Sequence, residues 1–364
     1  MQKAFKLKLL FPAWQCTAWL ALAWLLGGSA GFIALLCFFL LALLGAKDDP
    51  EQHGISAQTA SRMGGAIIAV FLLFSLIALA PTEPKLLPNI YPLGLIVVLS
   101  FYLLGVLEDF IGGIAPLWRL LLMLFVAGSF VIVALGLVTN NDEFIQHHSW
   151  VVDCGGLSLL VGTLWVAGLP NAFNIADGAN GLVAGLSCFI LLALIEVGKE
   201  LGLGVAVWEI LLIGTLLFLL PNVITGKLFL GDGGAYLLGS CLAISILSIV
   251  SVAPDQSLYF LALMFYPLAD LGWAVMRRLF YRRSPFNADE RHLHNYIYSR
   301  LRRRTEPLLA NSVTGLSIVA LFTGVPFLLG QWLIISPWNW LWVLALQLLS
   351  YLLLWQWLNK KDAK

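Results

Sequence analysis

The sequence predicts an all-α integral membrane protein of about eleven transmembrane helices, within a range of ten to twelve, with its active site on the cytoplasmic face. Three observations predict the helical membrane class. Of 364 residues, 60% are hydrophobic and only 11% charged, whereas a soluble domain is about half apolar and about a quarter charged. Mean hydropathy is +0.90. The apolar runs are long and continuous, as helices of roughly 20 residues require, and lack the alternation of a β-barrel. The net charge of +1 says little by itself, and no nucleic-acid partner is expected. The five cysteines (Cys16, Cys37, Cys154, Cys188, Cys241) lie mostly inside apolar runs, with neither metal spacing nor a disulfide framework. The first apolar run is too long for a cleavable signal peptide. No repeat or separable soluble unit is visible, so residues 1–364 read as one polytopic domain.

Lys3, Lys6 and Lys8 precede an apolar stretch from about Trp14 to Gly45, long for one span. Gly27, Gly28 and Gly31 could break it into a hairpin. Further spans are expected at about 64–81, 93–108, 118–138, 156–173, 182–198, 204–221, 235–253, 257–276, 311–332 and 339–358. Their connections alternate between two faces. One face receives loops at about 47–63, 108–117, 174–181, 225–234 and 277–310, with nearly all the Lys and Arg, and is cytoplasmic by the positive-inside rule. The other carries only Lys85 and Lys199. The N-terminal lysines conflict with an outside terminus, and a hairpin giving twelve spans would remove the conflict.

The polar clusters fall on the lysine- and arginine-rich face, where polar groups at membrane depth tend to be functional. In Phe229–Gly239, Asp232 sits among Gly231, Gly233 and Gly234 between two apolar runs. It could hold a divalent cation against a phosphate or simply cap the following helix. Glu108 and Asp109 are adjacent acids that repel unless a metal, a bound proton or a cation intervenes, or that form a solvated helix end. Asn171, Asn174 and Asp177 share one face of a helical turn. They could read a nucleotide or sugar, or form a self-capped turn. Asn222 and Lys227 lead into Asp232, Lys227 suiting a phosphate or snorkelling to the interface. The large loop carries Asp289, Arg291, His292 and His294, better suited to a diphosphate than to zinc, since no cysteine pair completes a zinc site. Asp270 lies within an apolar span, as an acid hydrogen-bonded across helices would.

Taken together these motifs resemble the polyprenyl-phosphate N-acetylhexosamine-1-phosphate transferases of glycosyltransferase family 4. The resemblance rests on Asn171-x-x-Asn174-x-x-Asp177-Gly178-x-Asn180-Gly181-Leu182 and on Phe229 to Gly239. It rests also on Glu108-Asp109 with Pro116 and Arg119, and on Asp48-Asp49-Pro50 with His53 and Gly64-Gly65. Pro267, Asp270, Arg277-Arg278, Ser284-Pro285-Phe286, Asp289 and His292-Leu293-His294 complete it. The last set favours the branch using UDP-N-acetylhexosamines over the muramoyl-pentapeptide branch. The resemblance covers about Asp48 to His294. It implies transfer of a sugar-1-phosphate from a UDP-N-acetylhexosamine to undecaprenyl phosphate in the bacterial inner membrane, releasing UMP and initiating cell-envelope polysaccharide synthesis. It further implies Mg²⁺, with Mn²⁺ as an alternative, on Asp232 and Asp109. Asp109 with Glu108 would position or deprotonate the lipid phosphate. Asn171, Asn174, Asp177 and Asn222 would orient the nucleotide sugar or the waters of the metal. Lys227, Arg291, His292 and His294 would meet phosphate or sugar oxygens. A homodimer is compatible with it.

The chain departs from the family pattern at Glu108, Asn180, Ala235, Glu290 and Asn295, and lacks the usual Arg-Lys pair before His53. An active member with altered sugar preference is the expectation. The rival classes are a secondary transporter, which should show repeated halves and midplane polar groups, and a scaffold member of the same family.

Overall fold

The computed structural model describes residues 13–44, 47–48, 60–79, 91–139, 155–284, 289–332 and 336–362. Cys154, His53, Pro285 and Phe286 lie outside the described residues. Helices are the expected result for such a chain, since in lipid each backbone amide and carbonyl must be satisfied within its own segment. In chain order they are α1 (Ala13–Leu44), α2 (Gly65–Leu79), α3 (Tyr91–Ile111), α4 (Pro116–Thr139), α5 (Gly155–Ala176), α6 (Leu182–Glu200) and α7 (Ala206–Thr225). There follow α8 (Gly231–Val252), α9 (Ser257–Leu263), α10 (Phe265–Phe280), α11 (Leu293–Arg302), α12 (Pro307–Val319), α13 (Val325–Trp332) and α14 (Trp340–Asp362). Among the described residues nine helical stretches are long and apolar enough to cross a membrane, ten if the bent pair α9–α10 counts as one. The apolar α2 is shorter, and ten lies within the expected range of ten to twelve.

α1 turns back on itself. Gly28 adopts φ 57°, ψ −146°, open to glycine alone at little cost. The Trp24 ring meets that of Phe32 edge-on at 6.1 Å, although residues eight apart lie about 12 Å apart along a straight helix. The hairpin therefore forms where the glycines allowed it. Each arm is too short to cross an apolar core of about 30 Å, although by composition residues 15–37 could be one span.

α8 is the axis of the bundle, with α2, α3, α5 and α6 packed round it. Its side chains are buried from Gly233 to Ser240 without interruption. The connections at the polar end are shorter than the sequence suggests. Glu108 and Asp109 remain inside α3, Asn174 inside α5, and Asp232 in the first turn of α8. Helical hydrogen bonding continues past the last apolar residue wherever a partner receives the polar side chain, so hydropathy alone ends a helix too early. A two-residue antiparallel pair, β1 (Lys47–Asp48) with β2 (Ala60–Ser61), sits at this end, with Lys47 opposite Ser61. Backbone bonds from Ser61 N to Lys227 O (3.0 Å), Phe229 N to Ser61 O (2.8 Å) and Gly64 N to Phe229 O (2.9 Å) stitch the segment before α8 to the start of α2.

α9 and α10 meet at a 70° break. A break frees backbone carbonyls, which is costly away from water. The Thr323 hydroxyl donates to Leu263 O (3.2 Å), and the Gln347 amide donates to Ala262 O (3.0 Å) and Phe322 O (2.8 Å).

Candidate active site

The polar ends of α3, α4, α5 and α8 meet at one corner. Gly231 opens α8 with φ 75°, and its Cα faces Arg62 O and the Asp109 carboxylate so closely that a side chain would collide with both. α8 begins with free amides and a positive dipole end. Asp232 does not cap that end. The cap comes from α3: Asp109 Oδ1 accepts from Asp232 N and Oδ2 from Gly233 N, both at 3.0 Å. Asp109 thus stands beside Asp232 because the helix amides draw it there. Gly105, one turn earlier in α3, permits the approach; a Cβ on it would lie 2.5 Å from the Asp232 carbonyl carbon.

Asp232 directs its carboxylate toward α4, where Arg119 Nη1 donates to Oδ2 at 2.9 Å. The same guanidinium nitrogen lies 3.6 Å from Glu108 Oε1. Glu108 Oε2 accepts from Ile114 N (3.1 Å) and closes the turn between α3 and α4. Glu108 therefore faces Arg119 rather than the other acids. Arg62 lies near enough to Asp109 and Asp232 to act on both charges. Asn174, near the end of α5, faces the Asp232 carboxylate and the Tyr236 hydroxyl.

Asp177 follows α5 and completes the corner. Burial pushes its carboxyl up to about 7, and the charges of Asp232 and Asp109 push in the same direction. Three acids that oppose one another's ionisation suit a cation. Among the described residues no three His, Cys, Asp or Glu side chains converge tightly enough to enclose a metal. That donor set fits Mg²⁺, which takes one or two carboxylates and keeps waters and substrate phosphates for the rest.

The other expected site residues serve neighbouring segments. Asn171 donates to Ala167 O (2.8 Å) within its own helix and lies against Met123 Sδ (3.4 Å). Asn222 is buried, accepting from Gly181 N and donating to Leu228 O, each at 2.6 Å. It clamps the Asp177 turn to the segment carrying Lys227, which is half-buried beside it. Asn180 turns away from the corner toward α12, its N–H donating to Asn311 Oδ1 (2.8 Å).

The histidine segment forms a second polar cluster behind this corner. Asp270 is fully buried. It receives His292 Nδ1 (2.6 Å), the Tyr351 hydroxyl (2.7 Å) and, more loosely, Leu293 N (3.4 Å). His294 Nδ1 lies 3.0 Å from the Tyr266 hydroxyl, and the two histidine rings are parallel at 5.4 Å. Burial pushes His294 down to about 4. Its Nε2 edge rests on Gly178, where a side chain would collide. Arg291 is exposed, with its carbonyl accepting from Trp355 Nε1 (2.9 Å). Burial raises the Asp289 carboxyl, but the hydrogen bond from Arg277 (2.6 Å), the Arg291 amide and the Arg277 charge together outweigh it and hold the group below its usual range. Sequence reasoning attached no role to Arg62, Arg119, Tyr266 or Tyr351. Only the place of Arg119 in register with the acidic pair could have marked one of them.

The fold and this corner define a multi-pass helical membrane protein with an acidic site at one end of its bundle. Comparison with known proteins is specific about the family. The family model for "Glycosyl transferase family 4" matches residues 91–251. The chain is 30% identical over 291 residues to the "Decaprenyl-phosphate N-acetylglucosaminephosphotransferase" of Mycobacterium tuberculosis, covering 71% of this chain and 70% of the relative. It is 27% identical over 263 residues to the "Probable undecaprenyl-phosphate N-acetylglucosaminyl 1-phosphate transferase" of Bacillus subtilis, covering 70% of each. It is 34% identical over 137 residues to the "Undecaprenyl-phosphate alpha-N-acetylglucosaminyl 1-phosphate transferase" of Thermotoga maritima, covering 38% of this chain and 42% of the relative. The chain belongs to the polyprenyl-phosphate N-acetylhexosamine-1-phosphate transferases of glycosyl transferase family 4.

Proposed function

We propose that this protein transfers N-acetylhexosamine-1-phosphate from a UDP-sugar to undecaprenyl phosphate, releasing UMP. The reaction would take place at the cytoplasmic face of a bacterial inner membrane and begin the assembly of a cell-envelope polysaccharide. The observation that carries this reading is the meeting of Asp109 and Asp232 at the N-terminus of α8, with Asp177 facing them and Arg119 alongside. In the reaction a phosphate oxygen of the acceptor attacks the sugar-bearing phosphorus of the donor. The bond from that phosphorus to the bridging oxygen breaks, and UMP leaves with that oxygen. Both reactants are anionic, so the site must offset their repulsion.

Asp232 and Asp109 would hold Mg²⁺, or Mn²⁺ in its place. The bound ion would neutralise charge on the diphosphate and polarise its oxygens. Arg119, drawn between Asp232 and Glu108, has donors suited to a phosphate once Asp232 is engaged elsewhere. The α8 N-terminus adds its dipole at the same point. Asn174 would orient the donor beside Asp232, while Asn222 would hold the Asp177 turn in place. The apolar surfaces of the bundle would receive the polyprenyl chain without desolvation cost.

The test is UMP release by purified protein in detergent with undecaprenyl phosphate, Mg²⁺ and a panel of UDP-N-acetylhexosamines. Release with one donor, requiring both lipid and metal, is the expected result. No release with any donor from folded protein would sink the reading and favour a scaffold member of the family.

A further inference from the structure

The last membrane helix carries polar side chains that the reaction does not use. Gln347, Tyr351, Trp355 and Asn359 recur every four residues of α14, so they lie along one stripe. A polar group in a membrane helix is costly unless bonded. None of these four bonds to another, and each reaches a different segment at or behind the histidine cluster. Gln347 holds the carbonyls at the α9–α10 break and in the turn before α13. The Tyr351 hydroxyl donates to Asp270 Oδ1 at 2.7 Å. Trp355 Nε1 donates to Arg291 O at 2.9 Å, and its ring lies 5.0 Å beneath the Arg277 guanidinium that pairs with Asp289. Asn359 Oδ1 accepts from the Tyr296 hydroxyl at 2.8 Å. From the α9–α10 break to α11, the described parts of the histidine region are tied to this one helix at Ala262, Asp270, Arg277, Arg291 and Tyr296.

We propose that α14 is a positioning strut for the active site, and that Tyr351 is its central positioning residue. The path is short and continuous. Tyr351 fixes one oxygen of Asp270, and the other oxygen fixes the ring of His292 at 2.6 Å. The His292 ring is parallel to that of His294. The far edge of His294 rests on Gly178, beside Asp177. A displacement at Tyr351 is therefore felt at the turn that carries Asp177, although Tyr351 touches no reacting group. The inference rests on the proposed transfer reaction for its kinetic consequence, but not for its structural one.

Tyr351→Phe is the variant of choice, because the ring keeps its packing against Phe265, Tyr266 and Phe322 and only the hydroxyl is lost. Two readouts apply. Hydrogen–deuterium exchange in detergent should become faster in 289–296 and in 177–181. In turnover, the KM for the UDP-sugar should rise about tenfold, as loss of one orienting hydrogen bond allows. The KM for the lipid acceptor should stay within about twofold, a split that mere loss of folded enzyme would not produce. Adding Tyr351→Phe to His292→Gln should cost nothing further, because the two act along one path. Exchange unchanged from wild type in both segments, or fully additive effects in the double variant, would overturn the strut. If wild-type protein releases no UMP while exchange still responds at 177–181, the reaction assignment falls and the strut stands.

Discussion

Two groups of acids lie at the same end of this bundle, and they are treated in opposite ways. Asp270 is fully buried, yet receives donors from a histidine, a tyrosine and a backbone amide. Asp109, Asp232 and Asp177 are only half-buried, yet crowd one another. Asp109 is committed to helix amides, Asp232 shares Arg119 with Glu108, and no donor among the described residues reaches the Asp177 carboxylate. Burial alone would leave Asp270 the acid most in need of a partner; the balance of donors makes it the satisfied one and leaves the acids of the corner short. Where donors saturate an acid, as at Asp270, the acid holds the fold. Where acids outnumber donors, a cation and an anionic substrate have something to complete.

Substitutions in the two groups should break differently. Asp232→Asn keeps the shape of the corner and removes the charge nearest Arg119. UMP release should fall by about 10²–10³-fold, the scale of losing one preorganised electrostatic contact, with the melting temperature unchanged. Gly105→Ala inserts a methyl group 2.5 Å from the Asp232 carbonyl carbon. The resulting shift of α3 against α8 should cost on the order of 10²-fold in kcat, measured in the same assay. Asp270→Asn attacks the saturated group instead. Breaking one side of a buried pair costs about 3–5 kcal/mol, so thermal unfolding should move sharply. Asn222→Ala should cost about 1–3 kcal/mol, since a buried donor and a buried acceptor lose their partner; limited proteolysis between α5 and α6 would report it.

The smallest effect is with pH. His294 is held near 4 by burial, against a usual value of about 6.5. Below the usual value the unfolded chain takes up a proton that the folded chain refuses. Stability should therefore fall as pH drops from about 6.5 toward 4, and His294→Gln should flatten that part of a melting-temperature profile.

Most of the fold and the acidic corner could be read in the sequence, for one physical reason. A membrane helix has an apolar pattern so strong that each polar interruption stands out, and Asp109, Asn174, Asp177 and Asp232 all interrupt it. What escaped reading depends on partners far apart in the chain. Capping of α8 by Asp109 joins residues 123 apart. Nothing local distinguishes Asp109, which caps, from Asp232, which pairs with Arg119. The use of Asn222 as a clamp was hidden in the same way, because an amide that binds substrate and one that ties two loops have the same side chain. The stripe on α14 was hardest to see. Gln347, Tyr351 and Trp355 sit in a run of leucines where tyrosine and tryptophan pass for interfacial anchors. The turn at Gly28 was visible as an option because three glycines in a long apolar run allow one.

The most direct measurement compares Asp232→Asn with Asp270→Asn in one preparation, following UMP release and thermal unfolding together. The account predicts that Asp232→Asn melts like wild type and releases UMP about 10²–10³-fold more slowly. It predicts that Asp270→Asn melts several degrees lower and that its folded fraction still turns over at saturating UDP-sugar, with the KM for that donor raised as in Tyr351→Phe. If Asp232→Asn turns over normally, the acidic corner is not the site of transfer and the account is wrong.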